Sequence, residues 1–175
     1  MPVSSDGFRQ VMRHWASGVT VVTVCHEATV RAILVTSFLS VGIDPPTVLV
    51  SIKRDGETHR LLEAARVFAV NFLHQGQAEL AYSLGYANDP EARALRTIPY
   101  HSGSTGAPLL DDCLGYLDCR VIDAFETRDH ALAIAPAVAE HLASRMSWHV
   151  EDELQSYRQE VDDLFGIADD QAAGM

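Results

Sequence analysis

Residues 19–25 read Val-Thr-Val-Val-Thr-Val-Cys. β-Branched side chains lose rotamer freedom in a helix and pack well on a pleated sheet. The run is also too short for a typical helix, so it is expected to be a strand buried on at least one face. Immediately before it, Phe8, Val11, Met12 and Trp15 recur at three- and four-residue spacing and predict a short amphipathic helix that Gly18 stops. Its single apolar stripe needs something to lie on.

Outward from this pair the pattern continues with strands. Residues 30–37 make a second strand candidate, Asp44-Pro45-Pro46 forces a turn, and Thr47 to Ile52 make a third. Thr58 to Ala65 has helical spacing with Leu61 and Leu62 inward, Val67 to Leu73 is a β-branched and aromatic strand, and Gln77 to Tyr86 returns to helix. A polar, irregular stretch runs from Ala87 to Pro108, and Leu114 to Phe125 and Ala131 to Ile134 supply the last strands. Strands and helices do not alternate regularly. The expected fold is therefore mainly β, an antiparallel barrel or sheet with flanking helices, and not a doubly wound parallel sheet.

At 175 residues the chain is long enough for one domain with one sizeable core. Thirteen basic against 24 acidic residues leave a net charge of -11, a field that repels phosphate backbones and anionic lipid surfaces. Neither a nucleic-acid nor a membrane partner is expected. A local set of donors can still hold one small anionic ligand inside an acidic protein. Cys25, Cys113 and Cys119 are odd in number and form no Cys-x-x-Cys, which points to reduced thiols in a cytoplasmic protein. Asp6, Arg9, Arg13 and His14 interrupt the first apolar stretches, so no signal-peptide core is expected.

From Ser147 onward Val150, Leu154, Tyr157, Val161 and Leu164 step by four and three among Glu151, Asp152, Glu153, Glu160, Asp162 and Asp163. Residues 147–175 are thus expected to be an acidic amphipathic helix with a frayed tail, set apart from a domain of residues 1–146.

Neither Gly-x-Gly-x-x-Gly nor Gly-x-x-x-x-Gly-Lys-Ser occurs, so a nucleotide would have to bind by other means. The histidines show no metal-ligand spacing, and no metal site is expected; His59 and Glu63, four apart on a helix, are expected to be a surface pair. Asn71, within a strand, is expected to be a buried amide bonded to backbone, and Cys119 a small hydrophobe. Lys53, the sole lysine, stands beside Arg54 at a strand end, where a phosphate partner is plausible chemistry.

Three segments carry a more specific signal: Phe8 to Val24 (FRQVMRHWASGVTVVTV), Val35 to Ile52 (VTSFLSVGIDPPTVLVSI) and Val67 to Leu80 (VFAVNFLHQGQAEL). In that order, with Gly106-Ala107-Pro108-Leu109, Leu117-Asp118-Cys119-Arg120-Val121 and Asp129-His130 following, they resemble the flavin reductase-like family. That resemblance implies an FMN-binding split β-barrel of Greek-key type, a homodimer, and an NAD(P)H:flavin oxidoreductase that hands reduced FMN or FAD to a partner monooxygenase. It implies that Val35, Thr36 and Ser37 line the flavin ring. Ser51, Lys53 and Thr58 would hold the ribityl chain and phosphate, and His130, the candidate catalytic residue, would meet the nicotinamide of NADH or NADPH.

The chain departs from the family pattern at Leu34, where a hydroxyl is usual, at Gly56, where a serine is common, and at Ala135-Pro136. These positions motivate a second reading, a split-barrel relative that has lost nicotinamide binding and transforms another small organic molecule, with or without flavin. A third is a flavin-binding or scaffolding subunit that docks an oxygenase through the acidic helix.

Overall fold

Residues 20–26 form β1 (Thr20–His26), and five of its seven residues are buried because both of its faces are covered. Val22 and Val24 point into the main core, whereas Val21 points to a second cluster on the opposite face. The computed structural model describes residues 3–87 and 89–142; the expected acidic helix of residues 147–175 lies outside them.

Ten strands follow one another with four short helices: α1 (Ser5–Met12), β1, β2 (Thr29–Val35), β3 (Phe38–Ile43), β4 (Pro46–Lys53), α2 (Glu57–Ala65), β5 (Val67–Phe72), α3 (Ala78–Gly85), α4 (Pro90–Arg93), β6 (Tyr100–Ser102), β7 (Pro108–Leu110), β8 (Gly115–Arg120), β9 (Asp123–Glu126) and β10 (His130–Leu142). The main sheet runs β2-β1-β5-β8-β10-β4-β3, with β9 on β10, and every pairing is antiparallel. Its two terminal strands, β2 and β3, are consecutive in the chain. The sheet therefore curls until its ends approach at Thr36-Ser37, and Phe38 meets Phe72 edge to face at 5.5 Å across the interior.

Helix α2 carries the chain from β4 to β5, two strands that are not neighbours. Its Leu62, with Leu61 and Ala65, packs on Val22, Val24, Phe68 and Val70 and closes the main core at that end. Helices α3 and α4 cover the outer face, where Leu84, Ala92 and Leu95 meet Val21, Ala32 and Leu110.

Several local expectations require correction. The second strand ends at Val35, so Thr36 and Ser37 lie in the bend before β3 rather than in a strand. β3 itself was not anticipated, and β10 has 13 residues where only Ala131 to Ile134 were expected. α1 ends at Met12, and its stripe finds no cover within the described chain: Phe8 is 59%, Val11 69% and Trp15 71% exposed. His59 is no surface pair, because its side chain is buried while its Nδ1 stands 3.5 Å from Glu63.

Two buried polar groups tie the small hairpin β6-β7 and its turn to the main sheet. The Asn71 amide donates to the Val21 carbonyl and to Thr23 Oγ1, each at 3.1 Å, and its carbonyl accepts from the Leu110 amide at 2.9 Å. Asp118, fully buried, accepts from the Thr105 amide at 2.9 Å and from the Ser104 and Thr105 hydroxyls. A Cβ on Gly103 would stand 2.6 Å from that carboxylate, so the turn needs a glycine there.

Removing one partner from a buried network leaves the others desolvated and unpaired, at about 1–3 kcal/mol each. Asn71→Ala is therefore expected to lower the unfolding free energy by about 2–4 kcal/mol in urea titrations. A loss within about 0.5 kcal/mol, the range of ordinary surface substitutions, would contradict the assigned network.

Burial pushes the Cys119 thiol up to about 12, aided by the neighbouring Asp118 charge, and burial likewise raises Cys113. The thiolate is the reactive form. Native protein treated with iodoacetamide near neutral pH is expected to gain one adduct, on half-exposed Cys25, and all three thiols should label once it is unfolded. Labelling of native Cys119 at the rate of Cys25 would refute this packing.

Candidate functional site

β4 ends at Lys53, and three residues later Gly56 begins the turn into α2. Gly56 provides the N-cap position of α2 without a capping side chain. The first turn of a helix exposes backbone N–H donors and the positive end of the helix dipole, a combination that suits anions. Around it opens a cleft of about 380 Å³, lined by Arg31 of β2, Lys53, Gly56, Thr58 and Arg93 of α4. Thr58 is buried, and its hydroxyl has no hydrogen-bond partner among the described residues.

The basic groups are held in place. Arg31 grips Glu57 through two bonds of 2.7 and 3.0 Å, and Lys53 Nζ stands 3.0 Å from Asp55. Arg93 donates to the Leu84 carbonyl at 3.4 Å. Hydroxyl, backbone amides, ammonium and guanidinium groups together form the donor set that a phosphate requires.

The β3-β4 pairing extends beyond the ladder at Ser37 and Ser51. The Ser51 amide donates to the Ser37 carbonyl at 3.2 Å, and the Ser37 hydroxyl donates to the Ser51 carbonyl at 2.9 Å. Ser37 Oγ keeps its acceptor capacity toward a ligand. Ser51 precedes Lys53 by two residues on one strand, which places it about 6.6 Å away along the chain.

β10 begins opposite this corner. In the β4-β10 register His130 faces Lys53 and Leu132 faces Ser51. His130 is partly exposed, and its Nδ1 lies 3.2 Å from Asp129 Oδ1. That hydrogen bond, followed by the histidine's charge, holds the Asp129 carboxyl below its ordinary range. In the neutral tautomer that donates from Nδ1, Nε2 is the acceptor.

Of the residues singled out in the sequence, Lys53 and Thr58 line the same cleft, Ser37 and Ser51 bond to each other but are not in its lining, and His130 stands across from Lys53 in the β4-β10 register. Thr36 is exposed in the bend. Val35 differs: its side chain is in the main core and its carbonyl accepts from Thr20 Oγ1 at 3.0 Å. Arg31 and Arg93 were missed. α4 did carry a sequence signal, since Asp89-Pro90-Glu91 is a capping residue followed by proline at the first helical position.

The unusual residues fall outside the cleft lining with one exception. Leu34 points to the outer face, where its Cδ2 would stand 2.8 Å from a Cβ on Gly85. Ala135 is buried in the main core opposite Val48, and Pro136 pairs with Thr47. Only Gly56 borders the cleft. Among the described residues no group of three or more His, Cys, Asp or Glu could hold a metal ion.

Residues 12–156 match the flavin reductase like domain. The chain is 34% identical over 137 residues to the reductase component of 4-nitrophenol 4-monooxygenase/4-nitrocatechol 2-monooxygenase from Rhodococcus opacus, covering 78% of this chain and 72% of that one. It is 32% identical over 136 residues to the NADH-dependent flavin reductase StyB of Pseudomonas fluorescens, covering 76% of each. The Streptomyces globisporus C-1027 NADH:FAD oxidoreductase SgcE6 superposes with a TM-score of 0.74 at 29% identity, over 82% of this chain and 86% of that one. With a curled antiparallel sheet, an anion-ready helix terminus at its mouth and a family match across most of its length, the chain belongs to the flavin reductase-like family.

Proposed function

We propose that this protein is an NAD(P)H-dependent flavin reductase that supplies reduced FMN or FAD to a partner monooxygenase. The observation that carries the reading is the donor set at the start of α2, set within a family whose curated members include NADH-dependent flavin reductases and reductase components of monooxygenases. Nothing favours the alternative of a pocket repurposed for another molecule, since Leu34, Ala135 and Pro136 do not line the cleft.

Flavin, when bound, would supply the redox chemistry. The protein's share is placement. Lys53, the Thr58 hydroxyl and the first-turn amides of α2 hold the phosphate, and Ser51 and Ser37 receive the polar chain leading to the ring. Thr36 and the backbone at Val35 border the ring. Asp129, kept ionised, fixes the imidazole of His130 so that Nε2 meets the nicotinamide side. No residue needs to act as a general base.

The working form is a homodimer. An eight-residue helix is marginal in water without tertiary contacts, and the stripe of α1 is exposed, as are Leu39, Val41 and Ile43 of β3. A second copy supplies the missing cover. The cytoplasm is its place of action, in keeping with three free thiols; among the described residues no helix is long and apolar enough to cross a membrane.

Pure protein given FMN or FAD is expected to oxidise NADH or NADPH well above the rate without enzyme, followed by loss of the reduced-nicotinamide absorbance. A rate equal to the control overturns the reading. Loss of one charge-assisted contact corresponds to about a tenfold weakening. Lys53→Ala should raise the flavin Kd about tenfold, whereas His130→Ala should lower kcat/KM for the nicotinamide about tenfold and leave flavin binding within twofold. Light scattering should find twice the chain mass, and Val11→Asp with Trp15→Glu should shift the particle to monomer.

A further inference from the structure

His130 follows directly on the β9-β10 turn, and that turn has no apolar anchor. Residues 122–129 are all exposed, and β9 lies off the main path of the sheet, paired with β10. A segment without buried side chains opens locally at low cost. Within the hairpin, the Thr127 amide donates to the His130 carbonyl at 2.7 Å and the His130 amide donates to Thr127 Oγ1 at 3.1 Å. These bonds shape the turn, but they do not fix it against the rest of the molecule.

Arg54 supplies that attachment. It follows Lys53, the last residue of β4, and its backbone amide donates to the Asp129 carbonyl at 3.0 Å. Its Nη1 donates to the Thr127 carbonyl at 3.2 Å, and its Nη2 stands 2.7 Å from Glu126 Oε2. One residue thus holds positions 126, 127 and 129, which lead into His130. A planar guanidinium can serve two separately placed acceptors at once, which an ammonium group does not reproduce. With both of these nitrogens engaged inside the chain, Arg54 is built to hold the turn rather than to grip a ligand.

We propose that Arg54 is a positioning residue for the reductase reaction: its guanidinium clamps the β9-β10 turn to the end of β4 and so sets where His130 stands relative to the ligand held at Lys53 and Thr58. The inference rests on the reductase reading of His130 and deepens it. Lys53 and Arg54 are consecutive, so the residue assigned to the phosphate and the residue that holds the turn belong to one short piece of chain. A shift at either end therefore changes the geometry between them, and rates fall steeply when reacting groups are misplaced.

The test uses the full-length protein with Arg54→Ala, Arg54→Lys, Glu126→Gln and His130→Ala, and the double variant Arg54→Ala/His130→Ala. Arg54 and Glu126 are exposed, so folding should survive, and circular dichroism checks it. kcat/KM is measured at saturating FMN for whichever of NADH and NADPH the wild type oxidises faster, and the FMN Kd by flavin fluorescence. Arg54→Ala is expected to lower kcat/KM about fivefold, the upper worth of an exposed ion pair, with the FMN Kd unchanged within twofold. Glu126→Gln should lower kcat/KM about two- to threefold, because the clamp loses one anchor. Were Arg54 itself a nucleotide ligand, freeing it from Glu126 would raise the value instead. Arg54→Lys, able to keep Glu126 but not both acceptors, should fall between wild type and Arg54→Ala. In the His130→Ala background, Arg54→Ala should cost less than about twofold more, whereas a general loosening of the fold would cost the same in both backgrounds. An undiminished loss in the double variant, a gain in Glu126→Gln, a His130→Ala protein as fast as wild type, or Arg54→Ala within twofold of wild type overturns the proposal and leaves the reductase activity standing. A wild type that oxidises no nicotinamide with either flavin overturns the reductase reading itself, and this proposal with it.

Discussion

The register that sets His130 opposite Lys53 is the constraint on which the site depends. Side chains alternate along a strand, so a slip of one residue would turn every β10 side chain to the other face. Ala131, Ala133 and Ala135 would exchange with Leu132, Ile134 and Pro136, and the main core would lose its fit. The same long strand pairs with β4 and β9 in its first half and, beyond an irregularity between Ala137 and Ala139, with β8 in its second. β10 thereby joins the site to the buried Asp118 and Asn71 networks: β8 carries Asp118, and β5, next to it, carries Asn71.

Electrostatics act locally in this molecule. The overall field is strongly negative, yet basic side chains converge where β2, β4 and α4 approach the first turn of α2. The carboxylates there are not excess charge. Glu57 steadies Arg31 and Asp55 steadies Lys53, which limits the rotamer freedom that long basic chains would lose on gripping a ligand. The uncapped helix terminus gives direction to this charge: its amides are aimed by the backbone, whereas an ammonium group alone would offer only a point charge.

The parts of the fold that bury their own side chains were legible. Val19 to Cys25, Thr47 to Ile52, Val67 to Leu73 and the α2 and α3 helices all show apolar patterning that matches what they cover, and Asn71 is the buried, backbone-bonded amide its setting suggests. β3 was not legible because Leu39, Val41 and Ile43 point away from the core of their own chain. β10 was shortened because alanines, Glu140 and Pro136 are poor strand formers, and pairing on both edges overrides that preference. His59 looked like half of a surface pair, since helical spacing alone does not tell which face is covered. Within the site, Lys53, Thr58, Ser51 and Ser37 came from ordered motifs, but Arg31 and Arg93 lie on β2 and α4, and only folding brings them to the lining of one cleft.

The central claim is that the first turn of α2, with Lys53 and Thr58, receives a flavin phosphate. A crystal structure of the full-length protein grown with FMN tests this most directly. The account predicts the phosphate within hydrogen-bond distance of the Thr58 hydroxyl and the first amides of α2, with Lys53 beside it. Ordered FMN whose phosphate lies elsewhere, with the α2 terminus facing only solvent, would contradict it.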